Sequence, residues 1–167
     1  MTHMEHPRFL YDLEHCSIRR ALEVLGEKWA LLVVREAFYG LTRFDDFARA
    51  LGCGRGVLSA RLKTLTEAGV LDRREYREAD QRPRAEYRLT DMGRDLFPAI
   101  LALSQWSERW MPPPEGPVAR VLSRKSGGPV TVVMTNDAAV SPLSVRDVEI
   151  TPGPGARRLD RPAARRQ

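Results

Sequence analysis

Apolar residues recur at helical spacing through the first two thirds of the chain, and the pattern is plainest between Thr42 and Leu71. Phe44, Phe47, Ala48 and Leu51 fall at i, i+3, i+4 and i+7, which is one face of a short amphipathic helix. Thr42 is placed to cap its start, and Asp45 to return the capping contact. Gly52 and Gly54 flank Cys53 and permit a tight turn. A second helix follows, with Val57, Leu58, Leu62 and Leu65 facing inward. Its outer face carries Arg55, Gly56, Ser59, Ala60, Arg61, Lys63 and Thr64, and no acid precedes Glu67. Two short helices across a sharp turn, the second with a small, hydroxylic and basic face, predict a helix-turn-helix. Such a face slides into the major groove of double-stranded DNA without clash or like-charge repulsion.

The flanking pattern extends this picture in both directions. Residues 1–15 are a polar N-terminal arm that ends with Phe9, Leu10, Tyr11 and Leu13, apolar enough to dock on a folded body. Cys16 opens a helix that Ser17 can cap, with Ile18, Ala21, Leu22 and Leu25 as its apolar stripe and Gly26 as its end. Glu27 to Tyr39 is apolar on almost every side, which predicts the buried helix of a small domain. After the second helix of the motif, Val70 to Arg77 and Ala85 to Leu89 read as two strands joined by a polar tip with Arg82 and Arg84. A hairpin in that place predicts a wing that lays both arginines on phosphate or in the minor groove. Thr90 then caps one long helix, Asp91 to Trp110, kinked at Pro98, which cannot donate to the carbonyl of Arg94. Leu103, Trp106 and Trp110 belong to an apolar surface wider than one small domain covers, so a homodimer is expected, with this helix in the interface and the first helix joining in.

The fold class that emerges is mainly α with a small β-hairpin wing, a winged helix-turn-helix, plus a short β-rich C-terminal extension. The winged helix-turn-helix and dimerisation domain is expected over residues 16–111. A stiff Pro-rich linker occupies 112–117. The extension, 118–151, reads as three short strands, V-A-R-V-L-S-R, P-V-T-V-V-M-T and L-S-V-R-D-V-E-I. Residues 152–167 are rich in Pro, Gly and Arg and are expected to be a disordered basic tail.

Composition narrows the function classes. The net charge of +5 is compatible with an anionic partner, but the tail from Arg157 to Gln167 holds +4 of it. Residues Arg55 to Thr90 hold nine basic and six acidic residues, which supports nucleic-acid binding without establishing it. No apolar run approaches the roughly 18 residues of a membrane helix, and the start M-T-H-M-E-H-P-R is polar, so a cytoplasmic protein with no membrane partner is expected. Two cysteines make neither a disulfide framework nor a four-ligand zinc site. The three histidines lie within the first fifteen residues, and there is no phosphate-binding glycine loop, G-x-S-x-G or H-E-x-x-H. No catalytic residue, metal or cofactor is expected, and the chain is not read as an enzyme.

Three stretches carry a family resemblance. C-S-I-R-R-A-L-E-V-L-G-E-K-W-A-L-L-V-V-R-E-A-F-Y-G-L-T-R-F-D-D-F, then G-V-L-S-A-R-L-K-T-L-T-E-A-G-V-L-D-R-R-E-Y, then R-P-R-A-E-Y-R-L-T-D-M-G-R-D-L closely resemble the HxlR-type bacterial transcriptional regulators. The match runs from about Cys16 to Trp110. The resemblance implies a winged helix-turn-helix, a homodimer whose first and last helices build the interface, and binding to operator DNA. By position it implies a recognition helix over Arg55 to Ala68 and a wing tip over Arg82 to Arg84. The chain has Arg55-Gly56 where members often have Pro-Lys, and Ala60 where they have a long polar residue. Its extension resembles a C-terminal segment of some members that carries cysteines. Ser126 to Val140 contains none, so no metal is expected there.

The DNA contacts are thus expected from Arg55, Ser59, Arg61, Lys63, Arg82 and Arg84, on a pseudo-palindromic operator read by a homodimer. The alternative is a winged-helix module that binds protein rather than specific DNA. An inducer, either a small molecule or an electrophile, is also expected. Some members respond to oxidants or electrophiles through a cysteine at the position of Cys16. A helix start favours a thiolate there, Arg19 and Arg20 add positive charge, and Glu14 opposes it.

Overall fold

In the computed structural model, which describes residues 14–76 and 84–157, the elements run α1 (Ser17–Leu25), α2 (Lys28–Phe38), α3 (Phe44–Leu51), α4 (Arg55–Glu67), β1 (Leu71–Tyr76), β2 (Arg84–Leu89), α5 (Asp91–Arg94), α6 (Phe97–Trp110), β3 (Ala119–Ser123) and β4 (Val148–Pro152). They fall into two units, Met1–Arg94 and Asp95–Gln167. This is the expected class: helices with a small hairpin wing after the helix-turn-helix, followed by a β-containing extension.

The first unit is built on α2. Its all-round apolar sequence places Ala30, Val33 and Val34 out of solvent entirely, and it packs against α3, α4 and β2. Phe47 of α3 and Leu58, Leu62 and Leu65 of α4 complete this core together with Val70 and Leu71. Glu36 is the charged residue drawn into it, and it accepts from the guanidinium of its neighbour Arg35, whose Nε lies 2.9 Å away. The α1 stripe behaves differently from expectation. Ile18 and Leu22 are 69% and 55% exposed, and no residue of α1 is buried. Ser17 is the first residue of α1 rather than its cap. Cys16 holds the N-cap position without a side-chain cap bond, while its carbonyl accepts from the amide of Arg20 at 3.0 Å.

Residues 42 and 43 also part from the sequence-based expectation. Helix α3 is preceded by Arg43, again without a side-chain cap, and Thr42 is not its cap. The carbonyl of Thr42 instead accepts from the amide of Tyr87 at 2.7 Å, and Arg43 bridges to Glu86. The loop before α3 is therefore a short third edge on the wing ladder, in which β1 and β2 pair antiparallel from Leu71↔Leu89 to Tyr76↔Arg84. A backbone that donates itself to a sheet is extended and leaves its side chain no helix start to cap.

Thr90 does cap the next helix, accepting from the amide of Gly93 at 3.0 Å and donating to the carbonyl of Gly69 at 2.6 Å. Gly93 is buried, and a β-carbon on it would collide with the Val70 carbonyl, so this turn admits no larger residue without movement. The expected long helix is two. The chain turns after α5, and Pro98 sits in the first turn of α6, where its missing N–H leaves nothing unsatisfied. A new helix start relieves the clash that a kink would have had to absorb.

In the second unit β3 pairs antiparallel with β4, from Ala119↔Pro152 to Ser123↔Val148. The middle strand expected over P-V-T-V-V-M-T does not form. Pro129 bridges to Leu122, the Val130 amide reaches the Val121 carbonyl at 2.9 Å, and the chain then leaves the ladder. The side chain of Gln105 takes over, donating to the Val130 carbonyl at 2.9 Å and accepting from the Val132 amide at 3.0 Å. Ser144 and Asp147 form a reciprocal cap on a single 3-10 turn that leads into β4. Residues 152–157, expected as part of the tail, bond back to the Pro-rich stretch. The amides of Gly153 and Gly155 donate to the carbonyls of Val118 and Pro117, and Arg157 pairs with Glu115 at 2.6 Å. The rest of the tail, like the N-terminal arm through residue 13, lies outside the described residues.

Candidate nucleic-acid interface

Gly52, in the left-handed conformation at φ 63°, ends α3, and Gly54 holds the N-cap position of α4. Only Cys53 separates them, so the two helices meet across a three-residue turn. Leu58, Leu62 and Leu65 fix the rotation of α4 about its axis, since all three are buried. That rotation turns Arg55, Gly56, Ser59, Ala60 and Lys63 into solvent. Val57, expected inside, is 42% exposed. It is one residue out of step with the Leu58 stripe, about 100° round the helix.

The basic residues of this face differ in what already holds them. Lys63 makes a loose i,i+4 pair with Glu67 at 3.7 Å, both well exposed. Arg61 is half-buried, and its Nε is shielded from water with no hydrogen-bond partner. Arg55 is exposed yet tethered. Both of its Nη atoms lie 3.0 Å from Oδ1 of Asp45, and its guanidinium stacks 4.7 Å from the centre of the Phe44 ring. Sequence reasoning does not find this tether. The signal is Asp45 across the turn from the first residue of α4, but its partner lies ten positions on, beyond the reach of helical periodicity.

On the wing, Arg84 opens β2 and is exposed, whereas Arg82 lies outside the described residues. The other described arginines of the hairpin are occupied. Arg74 donates to Asp72 at 2.7 Å, Arg73 lies 3.6 Å from Glu75, and Arg88 donates to both carboxylate oxygens of Glu86. The Arg88 hydrogen bond holds the Glu86 carboxyl below its ordinary range, and the same bond raises Arg88. These pairs neutralise the strands, so positive charge on the described wing concentrates toward the tip end of β2.

In the second unit, α6 presents Leu103, Trp106 and Trp110, which are 52%, 57% and 65% exposed. They lie at i, i+3 and i+7, one stripe of the helix, opposite the buried Phe97 and Leu101. Cys16 is half-buried at the start of α1, and Cys53 is half-buried in the turn; neither is in a disulfide. Among the described residues, no three His, Cys, Asp or Glu side chains come together as metal ligands, and no helix is long and apolar enough to cross a membrane.

Comparisons with known proteins bear on this arrangement. The model of the HxlR-like helix-turn-helix family matches residues 24–115. The uncharacterised HTH-type transcriptional regulator Rv3095 of Mycobacterium tuberculosis is 43% identical over 148 residues, 86% of this chain and 92% of the relative. Among solved structures, PA1607, described as a candidate transcription factor, is similar with a TM-score of 0.65 and 39% identity, over 83% of this chain and 95% of its own. The redox regulator HypR in its oxidised form is similar with a TM-score of 0.51 and 30% identity, over 56% of this chain and 96% of its own.

Proposed function

This chain belongs to the HxlR-like helix-turn-helix family, and from that premise we propose that it is a transcriptional regulator that binds a pseudo-palindromic operator as a homodimer. One observation carries the reading. The outer face of α4 is exposed, small and basic, holds no acid before Glu67, and is set across a three-residue turn from α3. Arg55, Ser59, Arg61 and Lys63 meet the major groove, while Arg82 and Arg84 of the wing meet phosphate or the minor groove. Residues 16–111 are the DNA-binding and dimerisation domain in this reading, with Leu103, Trp106 and Trp110 in the interface. The paired charges along the wing strands confine its DNA contact to the tip end.

The test is retention of genomic fragments by the pure protein, sequenced and then footprinted. Protection with dyad symmetry, in half-sites about one helical turn apart, is the expected result. Retention without sequence preference or symmetry would instead favour a winged-helix module that binds protein. Lys63→Ala gives a sharper expectation. Without its ammonium on phosphate, each recognition helix should bind all sequences more weakly by the same factor. The slope of log affinity against log salt should fall by about one unit for each phosphate no longer neutralised. An unchanged slope would remove Lys63 from the interface.

A signal is part of the proposal. Cys16 is half-buried at the start of α1, a helix whose apolar stripe is exposed, and HypR, similar to this chain, is a redox regulator. Oxidation or alkylation of Cys16 would alter the surface α1 offers a partner subunit, and with it the spacing of the recognition helices. Peroxide, diamide or a quinone is then expected to release wild-type protein from its operator and to spare Cys16→Ser. Equal behaviour of the two proteins would reject the cysteine and favour a noncovalent small-molecule inducer.

A further inference from the structure

We infer that Arg55 is the guanine-reading residue of each half-site and that Asp45 and Phe44 of α3 are the positioning residues that hold it for that task. The inference rests on the DNA-binding reading of α4 and adds a specificity assignment to it. Arg55 is the first residue of α4, at the helix end that enters the groove foremost in a helix-turn-helix. A cation is disfavoured at a helix N-terminus, where the macrodipole is positive. The side chain is nevertheless fixed there by two contacts from the other helix of the motif. Asp45 accepts from Nη1 and Nη2, both at 3.0 Å, and so takes the end of the guanidinium fork. The Phe44 ring lies under the guanidinium plane at 4.7 Å. The other bidentate edge, Nε with the outer side of Nη2, has no hydrogen-bond partner among the described residues. That edge matches O6 and N7 of guanine, the commonest specific contact of an arginine in the major groove.

The neighbouring positions support close approach. Gly56 lies in the first turn of α4 and presents no side chain there. A β-carbon there would meet nothing within 4 Å, so packing inside the protein does not require glycine. Ser59 and Ala60, also exposed and small, continue the cleared surface. An arginine splayed freely from this end would lose rotamer freedom on reaching a base. One already held over the Phe44 ring and paired with Asp45 for part of the time loses less. As an isolated ion pair, with both side chains 70% exposed, the Asp45–Arg55 contact adds little to folding. A purely structural role therefore predicts almost no effect of its removal.

The experiment is site selection from a random DNA library, followed by titration of the selected operator and of its single-base variants. Wild type is expected to require guanine at one position of each half-site. Arg55→Ala should lose that preference, with affinity for the guanine operator falling roughly ten- to hundredfold per half-site and the preferences at other positions intact. Arg55→Lys keeps the charge without the planar fork, so it should retain nonspecific binding and discriminate guanine less sharply than wild type. Asp45→Asn should weaken discrimination at the same base pair and no other, and add nothing in an Arg55→Ala background. Thermal melting of each variant should match wild type. Three results would overturn the inference while the operator reading stands: Arg55→Ala with every preference intact, Arg55→Ala weakening all sequences alike with a lower salt slope, or Asp45→Asn tightening all sequences alike, as expected of an acid that only masks a cation. A wild-type protein that selects no sequence would overturn both.

Discussion

Phe47→Ala is expected to cost about 3–5 kcal/mol of folding stability, the range for deleting a buried phenylalanine and leaving its cavity. Phe47 is fully buried in α3, which packs against both α2 and α4. The core around it is made of rigid elements with little slack. Ala30, Val33 and Val34 come from the central helix, and Leu58, Leu62 and Leu65 set the rotation of α4. Small domains have only about 5–15 kcal/mol to lose. The melting temperature should therefore drop by at least roughly 12 °C, given about 4–8 °C per kcal/mol in a unit of this size. Urea titration with intact cooperativity is the measurement. Phe44→Ala is the comparison, because Phe44 is only half-buried and stacks on Arg55. A loss below about 1 kcal/mol for Phe47 would mean that α3 is not held by this side chain.

The second large effect concerns assembly. Trp106→Ala and Trp110→Ala are each expected to weaken the proposed homodimer by about 2–4 kcal/mol, or roughly thirty- to thousandfold in its dissociation constant. Both indoles are more than half exposed on one stripe of α6, with Leu103 a turn away and the Arg109 guanidinium 5.2 Å from the Trp110 ring. Large aromatic side chains of this kind dominate interfaces, and leaving them in water forgoes a large apolar contribution. Because they are exposed in the single chain, their removal should leave the monomer's melting behaviour almost unchanged. Sedimentation equilibrium decides the point. Wild type that remains monomeric at micromolar concentration would overturn the homodimer, and variants that dissociate as wild type does would move the interface elsewhere. The same variants should lose affinity for a full operator while binding an isolated half-site as before.

What the sequence disclosed and what it hid divide along the range of the interaction. Leu58, Leu62 and Leu65 repeat within one helix, so their burial is written in their spacing. Gly52 and Gly69, both in the left-handed region, mark turns by a property of their own backbone. The buried helix α2 announces itself because no polar face interrupts it. Thr42 misled because its local pattern, a hydroxyl ahead of an amphipathic run, is that of a cap, whereas its carbonyl found Tyr87 some forty-five residues on. The strand expected at Val130 failed likewise. Its β-branched residues are right for a ladder, but a glutamine side chain from α6 met its backbone instead. Pro98 was visible as a break, and whether it bends one helix or starts another depends on packing that the proline does not encode. Of the candidate site, the composition of the α4 surface was legible. The tether on Arg55 and the shielding of the Arg61 Nε were not, because both arise from side chains brought together only by the fold.

The amide of Gln105 has a consequence for solubility. Val130 to Thr135 is uncharged, β-branched at every position but Met134, and free of proline, the composition from which cross-β aggregates nucleate, and Val133 and Met134 are openly exposed. A strand of that kind recruits others through its unpaired backbone groups. Gln105 occupies the Val130 carbonyl and the Val132 amide with a side chain that cannot propagate a sheet, since it ends on a helix. One side-chain amide thus withdraws two backbone groups of this segment from pairing with another strand.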